Sequence, residues 1–272
     1  MSVESIVAAG HPETARAAAY ALECGGNAAD AVLAGWLAAC LAEPVLTSPG
    51  GGGFAMVGPA SGPPRLYDFF AQTPLARQPG ARAFPLEADF GSTRQVFHLG
   101  AGSMATPGCV AGLLRLHADM GALPLRECAA PARELAREGV PINPHAARLL
   151  TVVSELYRAT PEASSLFQSR RSSEGCLREG ETFHNPVFEN FLDMLIAEGA
   201  RWFYEGDIGR LIESTCREEG GHLRRADFEQ YAVILREPLA VARRGSRIWI
   251  NPPPSMGGTL MAIGLSLREP PP

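Results

Sequence analysis

Residues 23–54 read ECGGNAADAVLAGWLAACLAEPVLTSPGGGGF, and the fold turns on this stretch. Gly25 and Gly26 stop one helix, and Asn27 is placed to cap the next through its side-chain oxygen. Asp30 falls in the first turn, facing the positive end of the helix dipole. From Ala31 to Ala42 the sequence is uncharged and rich in Ala and Gly, a surface small enough for close packing against a sheet or another helix. Pro44 ends the helix, and four consecutive glycines, Gly50 to Gly53, lead into a strand opened by Phe54. Such a run costs backbone entropy. It signals either φ > 0 conformations or a backbone that approaches something closely, a ligand or a neighbouring element.

Working outward, residues 5–9 read as a short strand and 12–24 as a helix. Residues 53–58 and 65–70 flank a Pro/Gly/Ser turn and read as a hairpin. Residues 74–103 are rich in Pro, Gly and Arg without clear periodicity, which implies a long surface loop. Thr106-Pro107, Asn143-Pro144 and Asn185-Pro186 each put a capping side chain before a proline, predicting helices over 107–120, 144–157 and 186–198. A helix over 125–138 should break at Pro131. Residues 160–182 read as a polar, irregular excursion, and helices follow over 208–219 and 225–231. Strands then read over 232–235, 239–243 and 247–250, before an Asn251-Pro-Pro-Pro-Ser-Met-Gly-Gly258 corner and an apolar helix over 259–267. Residues 1–272 therefore read as a single α/β region, with strand-rich ends around a helical middle at about 105–231.

The composition excludes several function classes. A net charge of −5 with no basic run argues against nucleic acid or an anionic membrane as partner. All 24 basic residues are Arg, so the chain holds neither a Schiff-base lysine nor a P-loop lysine. The glycine run also follows a helix and precedes a strand, the reverse of a dinucleotide-binding turn. What remains for the glycines is close backbone packing or a backbone wall of a substrate pocket. The six cysteines are scattered without a CxxC pair, which implies free buried thiols in a reducing compartment. With no signal peptide evident in MSVESIVAAG and no apolar run near the ~20 residues of a membrane span, the expected location is the cytoplasm. The histidines show no metal-ligand spacing, so neither metal nor cofactor is expected. No G-x-S-x-G elbow is present.

Taken together, these stretches resemble the γ-glutamyltransferase family of N-terminal-nucleophile hydrolases. The resemblance rests on ALECGGNAADAVLAG, the EP…GGGGF loop, GSMATPGCVAGLLRLHADMGALPL and PARELAREGVPIN. It continues through FYEGDIGRLI…GGHLRRADFEQY and the REPL…RRG…NPPPSMGG corner, and so covers nearly the whole chain in family order. It implies a proenzyme that cleaves itself to free an N-terminal Thr, which attacks a γ-amide and forms an acyl-enzyme. The fold implied is an αββα sandwich completed by a small subunit from the same proenzyme.

Two departures qualify this. The chain ends after the PPPSMGG corner, before the family's Thr, and Thr259 lies in that corner and not at a processing site. The expectation is a partial sandwich, the large-subunit portion alone, inactive without its other half and with no catalytic residue of its own. Second, the family's D-x-R-E-x-x-P pattern, whose Arg binds the donor's α-carboxylate, is here Asp68-Phe69-Phe70-Ala71-Gln72-Thr73-Pro74. Phe70 stands at the Arg position and Ala71 at the Glu position. Arg meets a carboxylate bidentately, whereas Phe offers an apolar face. The implied substrate-binding set is Phe70 and Ala71 with Gly51, Gly52, Gly53 and Ser255, acting on a small-molecule amide or γ-glutamyl-type substrate, with the loss of the Arg moving the preferred donor away from glutathione. Arg65 or Arg77 could restore the lost charge. A non-catalytic binding or scaffold subunit is the alternative.

Overall fold

The computed structural model describes residues 5–59, 62–172 and 175–267 of the chain. Helices α1 (Pro12–Glu23) and α2 (Ala28–Ala42) come first. Asn27 Oδ1 accepts the N–H groups of Ala29 and Asp30, and Asp30 Oδ2 accepts the N–H of Asn27, a reciprocal capping box. Twelve of the fifteen residues of α2 are buried, so this helix is the axis of the core. Its small residues admit α1: a Cβ added at Gly35 would meet Thr14 O at 3.4 Å and Ala18 Cβ at 3.5 Å. Residues 5–9, expected as a strand, run alongside without a ladder partner among the described residues. An isolated strand has nothing to satisfy its backbone groups, which is why sequence propensity alone does not create one.

Strands β1 (Gly53–Val57) and β2 (Arg65–Phe69) form the expected antiparallel hairpin, registered from Gly53 opposite Phe69 to Val57 opposite Arg65. Residues 60 and 61 of its turn lie outside the described residues. The loop expected over 74–103 is instead largely a second hairpin, β3 (Phe84–Asp89) with β4 (Arg94–Leu99). Phe84, Leu86 and Ala88 stand opposite Leu99, Phe97 and Gln95, a period-two pattern that the surrounding Pro and Arg residues obscure. Gly91 closes the turn at φ +87° with its N–H on Asp89 Oδ1.

The middle of the chain is helical: α3 (Cys109–Met120), α4 (Leu125–Glu138), the short strand β5 (Val140–Pro141), α5 (Pro144–Val152), α6 (Ser154–Tyr157) and α7 (Pro161–Phe167). After β6 (Thr182–Phe183), which pairs with β5, come α8 (Val187–Glu198), α9 (Ala200–Glu205), α10 (Asp207–Glu219) and α11 (Arg225–Glu229). Pro131 does not break α4. The helix buries Cys128, Ala129, Ala132 and Ala136 along one side, and that packing outweighs the one hydrogen bond proline removes. The helix expected over 144–157 does break, at Val153, which caps α5 and precedes α6. Asn143 caps α5 as expected, but α3 and α8 begin later, after Gly108 and Pro186, with no side-chain cap from Thr106 or Asn185 among the described residues.

The expected excursion over 160–182 is a fixed substructure in its described part, with residues 173 and 174 outside it. Thr160 caps α7, and Phe167 packs into the core against Tyr157 and Phe183. Buried Glu181 then holds the return by accepting Ser169 Oγ and the N–H groups of Arg170, Arg171 and Arg178. Burial alone would raise its pKa, but these donors prevail and hold it below the usual carboxylate range.

Strand β7 (Ile234–Arg236) joins β2 antiparallel, giving a sheet of order β1-β2-β7 with β1 at its edge. Strands β8 (Leu239–Arg243) and β9 (Ser246–Ile250) form a final hairpin that leads into α12 (Met256–Leu267). One face of α12 is bare: Met256, Leu260, Met261 and Ile263 are each at least half exposed. Among the described residues no helix is long and apolar enough to cross a membrane.

Candidate functional site

None of Gly50 to Gly53 has positive φ, so the glycine run is not there for left-handed backbone. Close approach explains it. A Cβ at Gly52 would stand 2.8 Å from Phe70 C and 3.0 Å from Phe70 Cα, with Ala71 N nearer still. At Gly53 it would meet the Phe69 ring at 3.1 Å, and at Gly51 the Ser48 carbonyl at 3.2 Å. Gly50 has open space around it apart from Ser48 Oγ at 3.7 Å.

The loop also starts a helix. The Gly51 carbonyl accepts the N–H groups of Gly108 at 2.8 Å and Cys109 at 3.0 Å, satisfying two donors that α3 would otherwise leave open. This is why no side chain caps α3. Thr106 is committed elsewhere, exchanging both backbone hydrogen bonds with Gln72 at 2.8 and 3.1 Å.

Phe70 and Ala71 therefore lie between the glycine loop and the approach to α3. Three contacts fix Phe70. Its N–H donates to Asp68 Oδ1 at 3.1 Å, its carbonyl accepts Tyr231 Oη at 3.1 Å, and its ring stacks on Phe54 with centroids 5.5 Å apart and planes at 20°. Phe70 as a whole is 56% exposed. Tyr231 is itself stacked on Tyr204, whose hydroxyl donates to Pro107 O at 2.8 Å. Burial pushes both phenols up, with the Asp68 charge adding to the effect at Tyr231, so both hydroxyls stay protonated donors. Asp68, buried on the same strand, is paired with Arg236 Nε at 2.6 Å.

A cavity of about 260 Å³ opens beside the β1 edge, lined by glycines 51–53, Val32, Trp36, Leu46, Phe69 and Leu113. The buried Trp36 indole N–H has no regular partner among the described residues; it approaches the Cys109 sulfur, a weak acceptor. Burial pushes that thiol up to about 11, with the indole N–H opposing. Five of the six free cysteines are buried as expected, and Cys24 is exposed.

Of the sequence-derived site residues, Gly51, Gly52, Gly53, Phe70 and Ala71 come together. Ser255 does not join them by any hydrogen bond among the described residues; its hydroxyl accepts the Gly258 N–H at 3.4 Å at the start of α12. Thr259 Oγ1 bonds back to Ser255 O at 2.9 Å, a local helix contact. Arg65 is at the far end of β2, opposite Val57, and does not stand in at Phe70.

A second cluster was not legible from spacing. Asp30 Oδ1, His117 Nε2 and Cys128 Sγ form a triangle with sides of 3.2, 3.9 and 3.9 Å. Its geometry suits a metal, but its chemistry does not. The Asp30 oxygens already accept N–H groups from Asn27, Ala122 and Leu123. His117 Nε2 faces two acceptors, Asp30 Oδ1 and Leu123 O at 2.9 Å, and so carries the proton that a metal would have to displace. Burial and the Asp30 charge push the Cys128 thiol up to about 12. Burial would also raise Asp30, but its backbone donors and His117 hold it low. The cluster is a hydrogen-bonded knot joining α2, α3 and α4.

With this geometry in place, similarity to known proteins becomes informative. The family described as Gamma-glutamyltranspeptidase matches residues 14–269. Glutathione hydrolase 2 of Arabidopsis thaliana is 30% identical over 246 residues, 90% of this chain and 41% of that protein. The Acylase ACY 1 proenzyme of Pseudomonas sp. (strain V22) is 30% identical over 269 residues, 97% of this chain and 47% of that protein. The chain thus spans less than half the length of these curated relatives. Among solved structures, the gamma-glutamyltranspeptidase of Helicobacter pylori superposes with a TM-score of 0.81 at 27% identity, covering 94% of this chain and 72% of the other. The match runs through the glycine loop, the 70–71 segment and the Pro253–Pro254 corner alike, and the chain belongs to the γ-glutamyltranspeptidase family.

Proposed function

We propose that this chain is the large-subunit portion of an amide hydrolase or acyltransferase whose nucleophile, a Thr freed by autocatalytic cleavage, lies in sequence outside it. The donor in this reading is a small-molecule amide without a free α-carboxylate, and glutathione is not the preferred substrate. The observation that carries it is Phe70. At the position where the family places a carboxylate-binding Arg, this chain holds a fixed, exposed phenyl ring, with Ala71 in place of the neighbouring Glu. Arg236, which bonds to the neighbouring strand, is already engaged by Asp68. Loss of one member of a charge pair typically costs ~2–5 kcal/mol, enough to change which donor is preferred. Relatives named as glutathione hydrolases and as acylases both match the chain, and the Phe70 ring favours the second kind of donor. Free thiols at all six cysteines fit a cytoplasmic location.

The test uses the complete protein. Turnover of a γ-glutamyl anilide should rise at least about thirtyfold in the Phe70→Arg/Ala71→Glu variant, the low end of the charge-pair range above. Equal turnover by the two proteins would overturn the reading.

A further inference from the structure

The stacked Phe54–Phe70 pair has a chemistry of its own beyond the missing charge. We infer that it forms an acyl subsite for a flat aromatic group, so that the amide's acyl part is of the arylacetyl type. This rests on the proposed function and specifies its substrate class.

The two rings lie nearly parallel, at 20°, with centroids 5.5 Å apart, an offset stack. Offset stacks extend: a third ring gains the same edge-and-face complementarity on the open face of the second. Phe70, at 56% exposure, presents such a face. Its backbone is held on three sides, by Asp68 Oδ1 on its N–H, Tyr231 Oη on its carbonyl and Gly52 against the following peptide, and its ring by the stack on Phe54. The ring is thus pre-positioned and gives up little freedom when a ligand stacks on it.

The electrostatics point the same way. Asp68 and Arg236 neutralise each other on this strand pair, and Ala71 adds neither charge nor hydrogen bond through its side chain. A donor carrying a charged α-carboxylate would lose water here without gaining a cation partner from Phe70, Ala71 or the engaged Arg236. An aromatic acyl group loses nothing. The reaction balances as ordinary amide hydrolysis: the acyl carbon–nitrogen bond breaks, water supplies hydroxyl to the acyl carbon, and its other proton goes to the leaving amine.

The experiment compares phenylacetyl, hexanoyl and γ-glutamyl p-nitroanilides on the complete, processed protein. The phenylacetyl compound should have the highest kcat/KM. Phe54→Ala should raise its KM about two- to tenfold while leaving kcat close to the parent value, and Phe54→Tyr, which keeps the ring, should restore KM. Preference for the hexanoyl compound, which carries neither a ring nor a carboxylate, would overturn the aromatic subsite and leave the proposed function standing. Preference for the γ-glutamyl compound would overturn both, and turnover of none of the three also counts against both. If Phe54→Ala lowers the yield of processed protein or its Tm with KM unchanged, the ring pair belongs to an internal interface and the inference fails.

Discussion

Replacing Gly52 with alanine places a methyl carbon 2.8 Å from Phe70 C and 3.0 Å from Phe70 Cα. Both are main-chain atoms, as is Ala71 N, so no rotamer change relieves the overlap. The loop and the 70–71 segment must part by roughly 1 Å to restore ordinary contact near ~3.5–4.0 Å. Both sides are fixed, by the Gly53–Phe69 ladder pair on one and by the Gly51 carbonyl on the start of α3 on the other. Overpacking costs about 1–3 kcal/mol, and each strained hydrogen bond adds about 0.5–1.5 kcal/mol. The expected loss is about 2–5 kcal/mol, a Tm lower by about 5–15 °C for a chain of this size. Gly50→Ala is the control. Its methyl group would meet only Ser48 Oγ at 3.7 Å, and its effect should stay within about 0.5 kcal/mol. Thermal unfolding followed by circular dichroism reads both variants. Equal Tm values for Gly52→Ala and Gly50→Ala would refute the close-approach account of the loop.

Acid sensitivity should centre on Asp30 and Glu181, whose pKa values are held low in the folded state. A depressed carboxylate stabilises fully above its unfolded value, ~4, and that contribution is lost as pH falls through the lower folded value. Asp30→Asn should therefore lower Tm at neutral pH and flatten its decline below about pH 4; an acid limb as steep as that of the parent would contradict this. Arg236→Ala leaves the buried Asp68 carboxylate without its ion partner and should cost about 3–5 kcal/mol in urea unfolding. The Asp68→Ala/Arg236→Ala double variant should cost clearly less than the two single changes added together, and strict additivity would argue against the pairing.

The local chemistry of the chain was legible where it is local in space. Asn27 and Asp30 are three residues apart and cap one helix turn, so their roles follow from sequence. The hairpin after the glycines was legible for the same reason, in the turn between two apolar runs. The glycine run itself offered two readings, and only the neighbouring 70–71 segment selects between them. The knot at Asp30 was out of reach because His117 and Cys128 arrive from other helices. Ser255 stands just before the last helix, so a capping role was legible from its place in the corner, and its hydroxyl accepts the Gly258 N–H at the start of α12. The hairpin from Phe84 to Leu99 carried a readable alternation, masked by Pro85 and by the Arg and Gly residues around it.

The Gly51 carbonyl that starts α3 has a consequence for counting. It is a fixed point, and β1 runs from it with alternate residues facing opposite sides of the sheet. Phe54 is the third residue after that anchor, which puts its ring on the face it shares with Phe70. Removing one glycine between them would invert the parity. Phe54 would turn toward Phe69 on the helix side, and Ala55 would take its place beside Phe70. The number of glycines, and not only their smallness, decides on which side of the sheet Phe54 stands.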